Sequence, residues 1–258
     1  MKKSTIGVLG IGEVGGAISN IFEKKYLVLK KDIKFDEIKK NQLEALHVCL
    51  PYSKNFVNLV CSQANLNKPK LIIIHSTVLP GTTEKIYKKT KVPTVHSPVM
   101  GTHPNLEKDI LNFVKIIGPC SKKSANLAVH HFKDLGIKTV VISNSTASEI
   151  GKLFDTTYYA WIILFCKHVG KLADELGLKF EEIYTVFNQV YNQGYKITKP
   201  NVIRPLLRYE HGSISGHCVV PNAYILNRFI KNDITDFIIK TNRKLENQKS
   251  LTRHRSSA

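Results

Sequence analysis

One cysteine near the end of the chain, Cys218 in the stretch SISGHCVVPNAYIL, raises the first chemical question. Most cysteines are buried as small apolar residues, but a thiolate beside a cation is a nucleophile at neutral pH. Lys152, in SEIGKLF, lies one helical turn after Glu149. Its ammonium could stabilise negative charge on a substrate oxygen or shuttle a proton through water. The alternative is an exposed lysine paired with a nearby carboxylate.

A glycine pattern at the start of the chain predicts a nucleotide site. The apolar run TIGVL leads into GIGEVGG, and AISNIFEKK can continue as an amphipathic helix. Gly10, Gly12 and Gly15 have the GxGxxG spacing. The first permits a tight turn, the second lets the backbone approach a pyrophosphate, and the third lets helix and strand pack closely. The phosphate would then lie at the N-terminus of the helix.

An acidic residue follows at the position expected for ribose binding. The run YLVLKKD predicts a second strand ending at Asp32, 17 residues after Gly15 (32 minus 15). Asp32 favours NAD, whereas the adjacent Lys30 and Lys31 keep NADP open because a cation could accept its 2′-phosphate. We expect the cofactor to contact Gly10, Gly12, Glu13, Val14, Gly15, Asp32 and Pro51.

Further short apolar runs predict an α/β fold with a Rossmann-type doubly wound sheet over residues 1–143. The runs are ALHVCLP, LIIIHSTV, TVHSPV, FVKIIG and KTVVIS. Continuous apolar runs of this length are typical of strands buried on both faces of a largely parallel sheet. Ligands bind such sheets just beyond the strand ends. Thr77, in STVLPGTT, is therefore our candidate for a residue near the nicotinamide.

The pattern becomes helical after SNSTAS, which predicts an all-helical domain over 144–247 and a disordered tail over 248–258. A long central helix would begin at a Ser148 cap and end at Gly177, spanning about 45 Å. Its middle, YYAWIILF, is apolar on almost all sides. Such a helix must be covered by other helices or by a second subunit. We therefore expect a homodimer through this helix.

Composition narrows the possible compartments and partners. The net charge of +18 comes from lysines spread through many segments, without the signature of a nucleic-acid-binding module. Nucleic-acid binding is therefore disfavoured, and an anionic small molecule is the expected partner. The five cysteines are scattered and never form a CxxC pair, which predicts neither a disulfide framework nor a metal site. With no apolar run of about 20 residues, we expect a cytoplasmic protein that does not insert into membranes.

Four stretches together resemble the UDP-glucose/GDP-mannose dehydrogenase family, in particular its UDP-N-acetyl-sugar branch. They are GVLGIGEVGGAIS, HSTVLPGTTEKI, SEIGKLFDTTYYA and SGHCVVPNAYIL, in the family's order over nearly the whole chain. The resemblance implies that Cys218 attacks the aldehyde made by a first hydride transfer. The thiohemiacetal then yields a second hydride to NAD, and water releases a carboxylate. Lys152 would stabilise the oxyanion, and Thr77 would lie beside the reacting carbons.

Several residues of the second half are candidates for substrate contacts. Arg204 and Arg208, in RPLLRYEHG with His211, could bind an anionic substrate or could form surface ion pairs. His217 either tunes the thiol or packs the loop. The expected substrate residues are Thr156, Arg204, Arg208, His217 and Asn222.

Several positions depart from the family's pattern. Thr156 replaces an asparagine, Asn222 replaces an aspartate, and Val99 and His103 stand where glutamates are expected. Only 40 residues follow Cys218 (258 minus 218), so we expect the chain to lack the family's C-terminal UDP-binding domain. Two alternatives stay open. One is a two-electron 3-hydroxyacid-type dehydrogenase, because HSPVMG resembles the PVSGG loop of those enzymes. The other is a nucleotide-binding protein that has lost turnover.

Overall fold

The computed structural model describes residues 3–102, 104–216 and 218–255, from 248 onward by their backbone alone. The chain divides into two compact units, Met1–Lys152 and Leu153–Ala258. The first unit is built around a sheet with helices, and the second is helical. The predicted fold class is therefore confirmed.

The sheet of the first unit has eight strands in the order β3-β2-β1-β4-β5-β6-β7-β8. The strands are β1 (Thr5–Leu9), β2 (Leu27–Asp32), β3 (Phe35–Asp36), β4 (Ala45–Val48), β5 (Leu71–Ile74), β6 (Thr94–His96), β7 (Lys115–Pro119) and β8 (Thr139–Val141). Every neighbouring pair is parallel except β2 with β3 and β6 with β7. Because β7 runs against β6, its first residue lies at the edge where β4, β5 and β6 end.

Helices cover both faces of this sheet. They are α1 (Glu13–Phe22), α2 (Phe56–Asn67), α3 (Thr82–Thr90), α4 (Leu106–Asn112) and α5 (Lys122–Lys133). Successive strand residues point to opposite faces, so Ile73 packs in the cluster with α1 and α5, and Ile72 packs with α2 and α3. The expectation of strands buried on both faces holds for β4 and β5 but is wrong for β8. Val140 and Val141 are exposed because β8 is an edge strand.

The predicted central helix is α6 (Ser145–Leu176), 32 residues long, or about 48 Å at 1.5 Å per residue. The predicted Ser148 cap is wrong, because the helix begins three residues earlier. Asn144 Oδ1 accepts the Ala147 N–H at 2.9 Å and caps the helix, and the Ser148 hydroxyl instead bonds His96. The helix ends as predicted at Gly177, which has a φ of 66°.

The second unit holds the rest of α6, a π-helical segment (Glu181–Val186), α7 (Phe187–Tyr195), a 3-10 turn (Pro200–Val202), α8 (Val219–Phe229) and α9 (Asp233–Arg255). Helix α9 thus continues into the segment that we expected to be a tail. One small core joins Ala160 to Ile238, and another surrounds Phe180. Gly170 admits the Tyr209 ring, because a Cβ there would lie 2.2 Å from a ring carbon. None of the described helices is long and apolar enough to span a bilayer.

Candidate active site

The glycine turn between β1 and α1 has the geometry that a dinucleotide site needs. Gly10 has a φ of +90°, which side chains rarely adopt. A Cβ on Gly15 would lie 1.8 Å from the Gly10 carbonyl oxygen, so only glycine allows this approach of helix to strand. A Cβ on Gly12 would meet no atom within 4 Å. The space beside Gly12 is therefore open to a ligand, and the residues of the turn fit a dinucleotide phosphate.

Asp32 ends β2 beside this turn. Its Oδ2 accepts the Ile11 N–H at 2.5 Å, and its Oδ1 accepts the Ile33 N–H at 2.7 Å. These bonds, the one from Ile11 first, lower the pKa of the Asp32 carboxyl below its usual range. The carboxylate is therefore ionised at neutral pH and fixed to the backbone of the turn.

The two lysines before Asp32 each have an acidic partner. Lys30 Nζ lies 2.7 Å from Glu23 Oε1, and Lys31 Nζ lies 2.5 Å from Asp36 Oδ2. Both pairs are partly exposed, so each contributes little to stability. They nevertheless direct both ammonium groups towards carboxylates of the protein.

The remaining candidate cofactor residues lie along the same edge of the sheet. Glu13 is exposed in the first turn of α1, whereas the Val14 side chain packs against the core. Pro51 is exposed just after β4, and Thr77 is half-buried just after β5. Because β1, β4 and β5 are parallel neighbours, the structure brings these residues to one edge, where open α/β sheets bind ligands.

Glu149 is a buried carboxylate that caps a helix, a role that the sequence analysis did not assign. Its carboxylate accepts the N–H groups of Gly81 at 2.6 Å and Thr83 at 2.8 Å, and the Thr83 hydroxyl at 2.6 Å. It thus caps the N-terminus of α3, directly after the loop that contains Thr77. Burial raises the pKa of Glu149, while the Thr83 and Gly81 bonds oppose that rise. Lys152, one turn later in α6, is half-buried.

Lys115 and His96 are buried at the same edge and were also missed. Lys115 Nζ donates to the carbonyls of Ser97 at 3.0 Å and Pro98 at 2.7 Å. Burial lowers the pKa of Lys115 to about 7, and the charge of Lys152 adds to the shift. Burial likewise lowers the pKa of His96 to about 3. Its Nε2 donates to the Ser76 carbonyl at 3.2 Å, so its Nδ1 accepts from the Ser148 hydroxyl at 2.8 Å.

Three more histidines form a buried row beside Lys115. His75 Nδ1 lies 2.8 Å from the Ser97 carbonyl, His47 Nδ1 lies 2.9 Å from His75 Nε2, and His131 Nε2 lies 2.9 Å from His47 Nε2. Because a carbonyl only accepts, it fixes the tautomer of each neutral ring in turn. Burial lowers the pKa of all three rings, that of His131 to about 4. One histidine in each of three neighbouring apolar runs, ALHV, LIIIH and TVH, was the available sequence signal for His47, His75 and His96, whereas His131 lies in α5, outside those runs.

Cys218 lies in the second unit, immediately before α8, and its side chain is exposed. It is therefore not the buried structural cysteine of the competing interpretation. Its carbonyl accepts the Asn222 N–H at 3.1 Å in the first turn of the helix. His217 lies outside the described residues, so its proposed effect on the thiol stays a prediction.

Thr156 and Asn222, the two departures from the family's pattern, contact each other. Asn222 Nδ2 donates to Thr156 Oγ1 at 3.3 Å, and Thr156 Oγ1 donates to the Leu153 carbonyl at 3.0 Å. Both side chains are buried. The two substitutions therefore form an uncharged, hydrogen-bonded pair between α6 and α8.

The basic candidates of RPLLRYEHG are placed differently from one another. The Arg204 guanidinium lies 3.5 Å from the centre of the Tyr191 ring on α7. His211 Nδ1 lies 3.2 Å from the Tyr209 hydroxyl and 3.8 Å from Asp174. Arg208 is exposed and lines a cavity of about 220 Å³ with Lys167 and residues 213–215. Arg208 therefore borders a cavity whose lining also includes the acidic residue Glu210.

Comparisons with known proteins support the resemblance read from the sequence, although no family model matches the chain. The chain is 26% identical over 190 residues to the UDP-N-acetyl-D-mannosamine dehydrogenase of Methanocaldococcus jannaschii, covering 72% of this chain and 41% of that protein. It thus spans less than half the length of the curated relatives it matches. The resemblance to UDP-N-acetyl-sugar dehydrogenases is confirmed.

Two solved structures show how widely the fold is shared. A UDP-D-ManNAc dehydrogenase from Pyrococcus horikoshii superposes with a TM-score of 0.79 at 19% identity, covering 93% of this chain and 68% of that one. A 3-hydroxyisobutyrate dehydrogenase from Mycobacterium tuberculosis superposes with a TM-score of 0.69 at 13% identity, covering 94% and 93%. At such identities the likeness is one of fold alone.

Proposed function

We propose that this protein is a nicotinamide-dependent dehydrogenase that oxidises a primary alcohol of an anionic, nucleotide-sugar-like substrate. The observation that carries the proposal is the glycine turn. Only glycine fits at position 15, because a Cβ there would overlap the Gly10 carbonyl, the space beside Gly12 is open, and an ionised Asp32 lies at the turn. The homologues named as UDP-N-acetyl-D-mannosamine dehydrogenases support the same reaction class. Bound cofactor would supply the hydride acceptor.

We favour NAD over NADP as the cofactor. Asp32 holds a negative charge at the end of β2, where it can accept hydrogen bonds from ribose hydroxyls and would repel a 2′-phosphate. Lys30 and Lys31, the two cations that kept NADP open, are paired with Glu23 and Asp36. A ratio of dissociation constants for NADH and NADPH below one would support this assignment.

The proposed chemistry assigns separate tasks to Lys152 and Cys218. The Lys152 ammonium would stabilise negative charge on the substrate oxygen. The exposed thiol of Cys218 could add to an aldehyde carbon, and the thioester formed after a second oxidation is readily hydrolysed. Thr77 would bind beside the reacting carbons, and Arg208, Asn222, Thr156, Arg204 and His217 are the proposed substrate residues.

We also propose a cytoplasmic homodimer that uses the exposed apolar face of α6. Phe154, Tyr158, Trp161 and Phe165 are each between 41% and 63% exposed. An apolar patch of this kind is typical of a protein interface. Light scattering across a range of concentrations would test it, and Phe165→Glu should shift the equilibrium towards monomer.

A matched pair of glycine substitutions tests the cofactor site. Gly12→Ala should leave the fold intact but weaken NADH binding at least tenfold, because the new methyl group would occupy the open space at the turn. Gly16→Ala, inside α1 and also with no atom within 4 Å of the new Cβ, should retain binding. Fluorescence titration of NADH measures both. Equal affinity in the two variants would contradict the proposed site.

Replacement of the cysteine separates the two enzymatic hypotheses. Cys218→Ala should abolish carboxylate formation if the thiol carries the second oxidation. Unchanged turnover would favour the two-electron hydroxyacid-type dehydrogenase, which the HSPVMG loop suggests. If NADH binds but neither nucleotide sugars nor hydroxyacids reduce NAD, followed as the appearance of NADH absorbance, the chain is a binding protein without turnover, as the uncharged Thr156 and Asn222 pair would allow.

A further inference from the structure

Lys115 is a buried amine at the edge of the sheet where the cofactor is proposed to bind. It is the first residue of β7, and β7 pairs antiparallel with β6. Its side chain therefore lies beyond the carboxyl end of β6, against the carbonyls of Ser97 and Pro98. Pro51 and Thr77 follow the ends of β4 and β5 along the same edge.

The hydrogen bonds of Lys115 fit two protonation states. The residue is 4% exposed, and both of its acceptors are backbone carbonyls rather than carboxylates. A neutral amine has two N–H groups, which match the two carbonyls. An ammonium has a third, and the Phe132 ring centre lies 5.9 Å from Nζ. Burial lowers the pKa of Lys115 to about 7, so both forms are populated near neutral pH.

Among the buried groups described around Lys115, the histidines and the cysteine stay neutral near neutral pH, whereas Lys115 itself changes charge there. Burial lowers the pKa of each neighbouring histidine, so the imidazoles are neutral. Burial raises the pKa of the Cys49 thiol to about 12, so this group is neutral as well. The charged and titratable groups that face Lys115 come from four elements and the loops that follow them. They are His47 of β4, Cys49 just after β4, His75 just after β5, His96 of β6, and Lys152 of α6.

We infer that Lys115 is a proton-binding site whose occupancy is linked to the charge of the bound dinucleotide. The inference rests on the proposed function. NAD carries a cationic nicotinamide ring and NADH a neutral one, and two nearby cations disfavour each other in a protein interior. NAD therefore favours the neutral amine and NADH the ammonium. When NAD binds, one N–H bond of the ammonium breaks, nitrogen keeps the electron pair, and the proton passes to the buffer.

Linkage gives this inference a measurable size. If bound NAD lowers the pKa of Lys115 by about one unit, the affinity of the protein for NAD rises up to about tenfold as pH increases through neutrality. NADH affinity should change in the opposite direction or stay constant. The ratio of the two dissociation constants therefore depends on pH.

Calorimetry on the intact chain tests the linkage directly. NAD and NADH are titrated at neutral pH in two buffers with different ionisation enthalpies, which gives the number of protons released per nucleotide bound. We expect NAD to release a fraction of one proton and NADH to release none. Lys115→Met should bind both nucleotides with no difference in proton release. Lys138→Met removes an exposed lysine just before β8 and should behave like the unsubstituted chain.

A second measurement uses the unsubstituted protein, so a loss of stability in a variant cannot affect it. In protein labelled with ¹³C and ¹⁵N at the lysine side chains, the Lys115 resonance should titrate near neutrality, with a lower midpoint in the NAD complex than in the NADH complex. If both nucleotides bind but proton release is equal, or persists in Lys115→Met, the linkage is wrong and the proposed function stands. If neither nucleotide binds, the proposed function fails and the linkage fails with it.

Discussion

The two compact units differ in how completely each covers its own apolar residues. The first unit packs helices on both faces of one sheet, and its two core clusters include every residue of β4 and β5 except His47. The second unit has two small clusters, and Phe165, Phe187 and Ile197 are 55%, 70% and 91% exposed. A sheet covered on both faces buries its strands within one chain, whereas the helices of the second unit leave apolar side chains exposed.

The units also differ in the kinds of polar side chain that they bury. The first unit buries four histidines and Lys115, all of which can take up protons. The second buries amides and hydroxyls such as Thr156, Asn222 and Asn242, which do not titrate. The stability of the first unit should therefore depend on pH more steeply than that of the second.

Acidification should produce the largest effect. The unfolded chain binds a proton on each histidine near pH 6.5, whereas the folded His131 binds one only near 4. Stability is thus present above about 6.5 and is lost as pH falls towards about 4, by about 3 kcal/mol for His131 alone. The lowered pKa of Lys115 has the same sign, so its contribution improves as pH rises from about 7 to 10.5.

Urea unfolding followed by circular dichroism at several pH values measures this dependence. His131→Phe should be less stable at neutral pH but should lose less stability on acidification. The control is His130→Asn, since the His130 side chain is 79% exposed. Equal pH dependence of His131→Phe and the unsubstituted chain would remove the histidine row as the cause.

Gly15→Ala should give the next largest effect, because its Cβ would lie 1.8 Å from the Gly10 carbonyl oxygen. We expect a loss of about 3 kcal/mol in the free energy of unfolding. Gly16→Ala should instead be neutral or stabilise by about 0.5–1 kcal/mol, as expected for glycine in a helix interior. Similar denaturation midpoints for both variants would mean that α1 can move away from β1.

Thr156→Val should have a moderate effect in the second unit. The substitution leaves the buried Asn222 amide without its acceptor, which should cost about 1–3 kcal/mol. Thr157→Val removes only a hydroxyl that donates to the Leu153 carbonyl and should cost about 1 kcal/mol. Thermal unfolding of the two variants compares them, and a larger loss for Thr157→Val would show that the pair with Asn222 matters little.

Cys218→Ala should have the smallest effect on stability, within about 0.5 kcal/mol, because an exposed side chain contributes little packing. Its effect on carboxylate formation is expected to be large. A clear drop in the denaturation midpoint would instead indicate that the thiol is buried by a partner in solution.

Local patterns in the sequence were sufficient for the sheet, the glycine turn and the length of α6. Glycine spacing and apolar runs act through contacts between near neighbours, so TIGVL, GIGEVGG and the strand at Asp32 could be placed without a structure. The cap of α6 was misplaced by four residues, since Asn144 and Ser148 are both good capping residues and only packing decided between them.

Only the tertiary structure decided which polar residues are buried together. Lys115 reaches the edge of the sheet where the cofactor is proposed to bind because β7 runs antiparallel to β6, a reversal that no local pattern shows. Glu149 caps α3 from more than 60 residues away in the chain, and Thr156 meets Asn222 at the same separation of 66 residues. The proton affinity of Lys115 depends on desolvation and on the neighbouring charge of Lys152. Both quantities arise from the folded surroundings rather than from the residue itself.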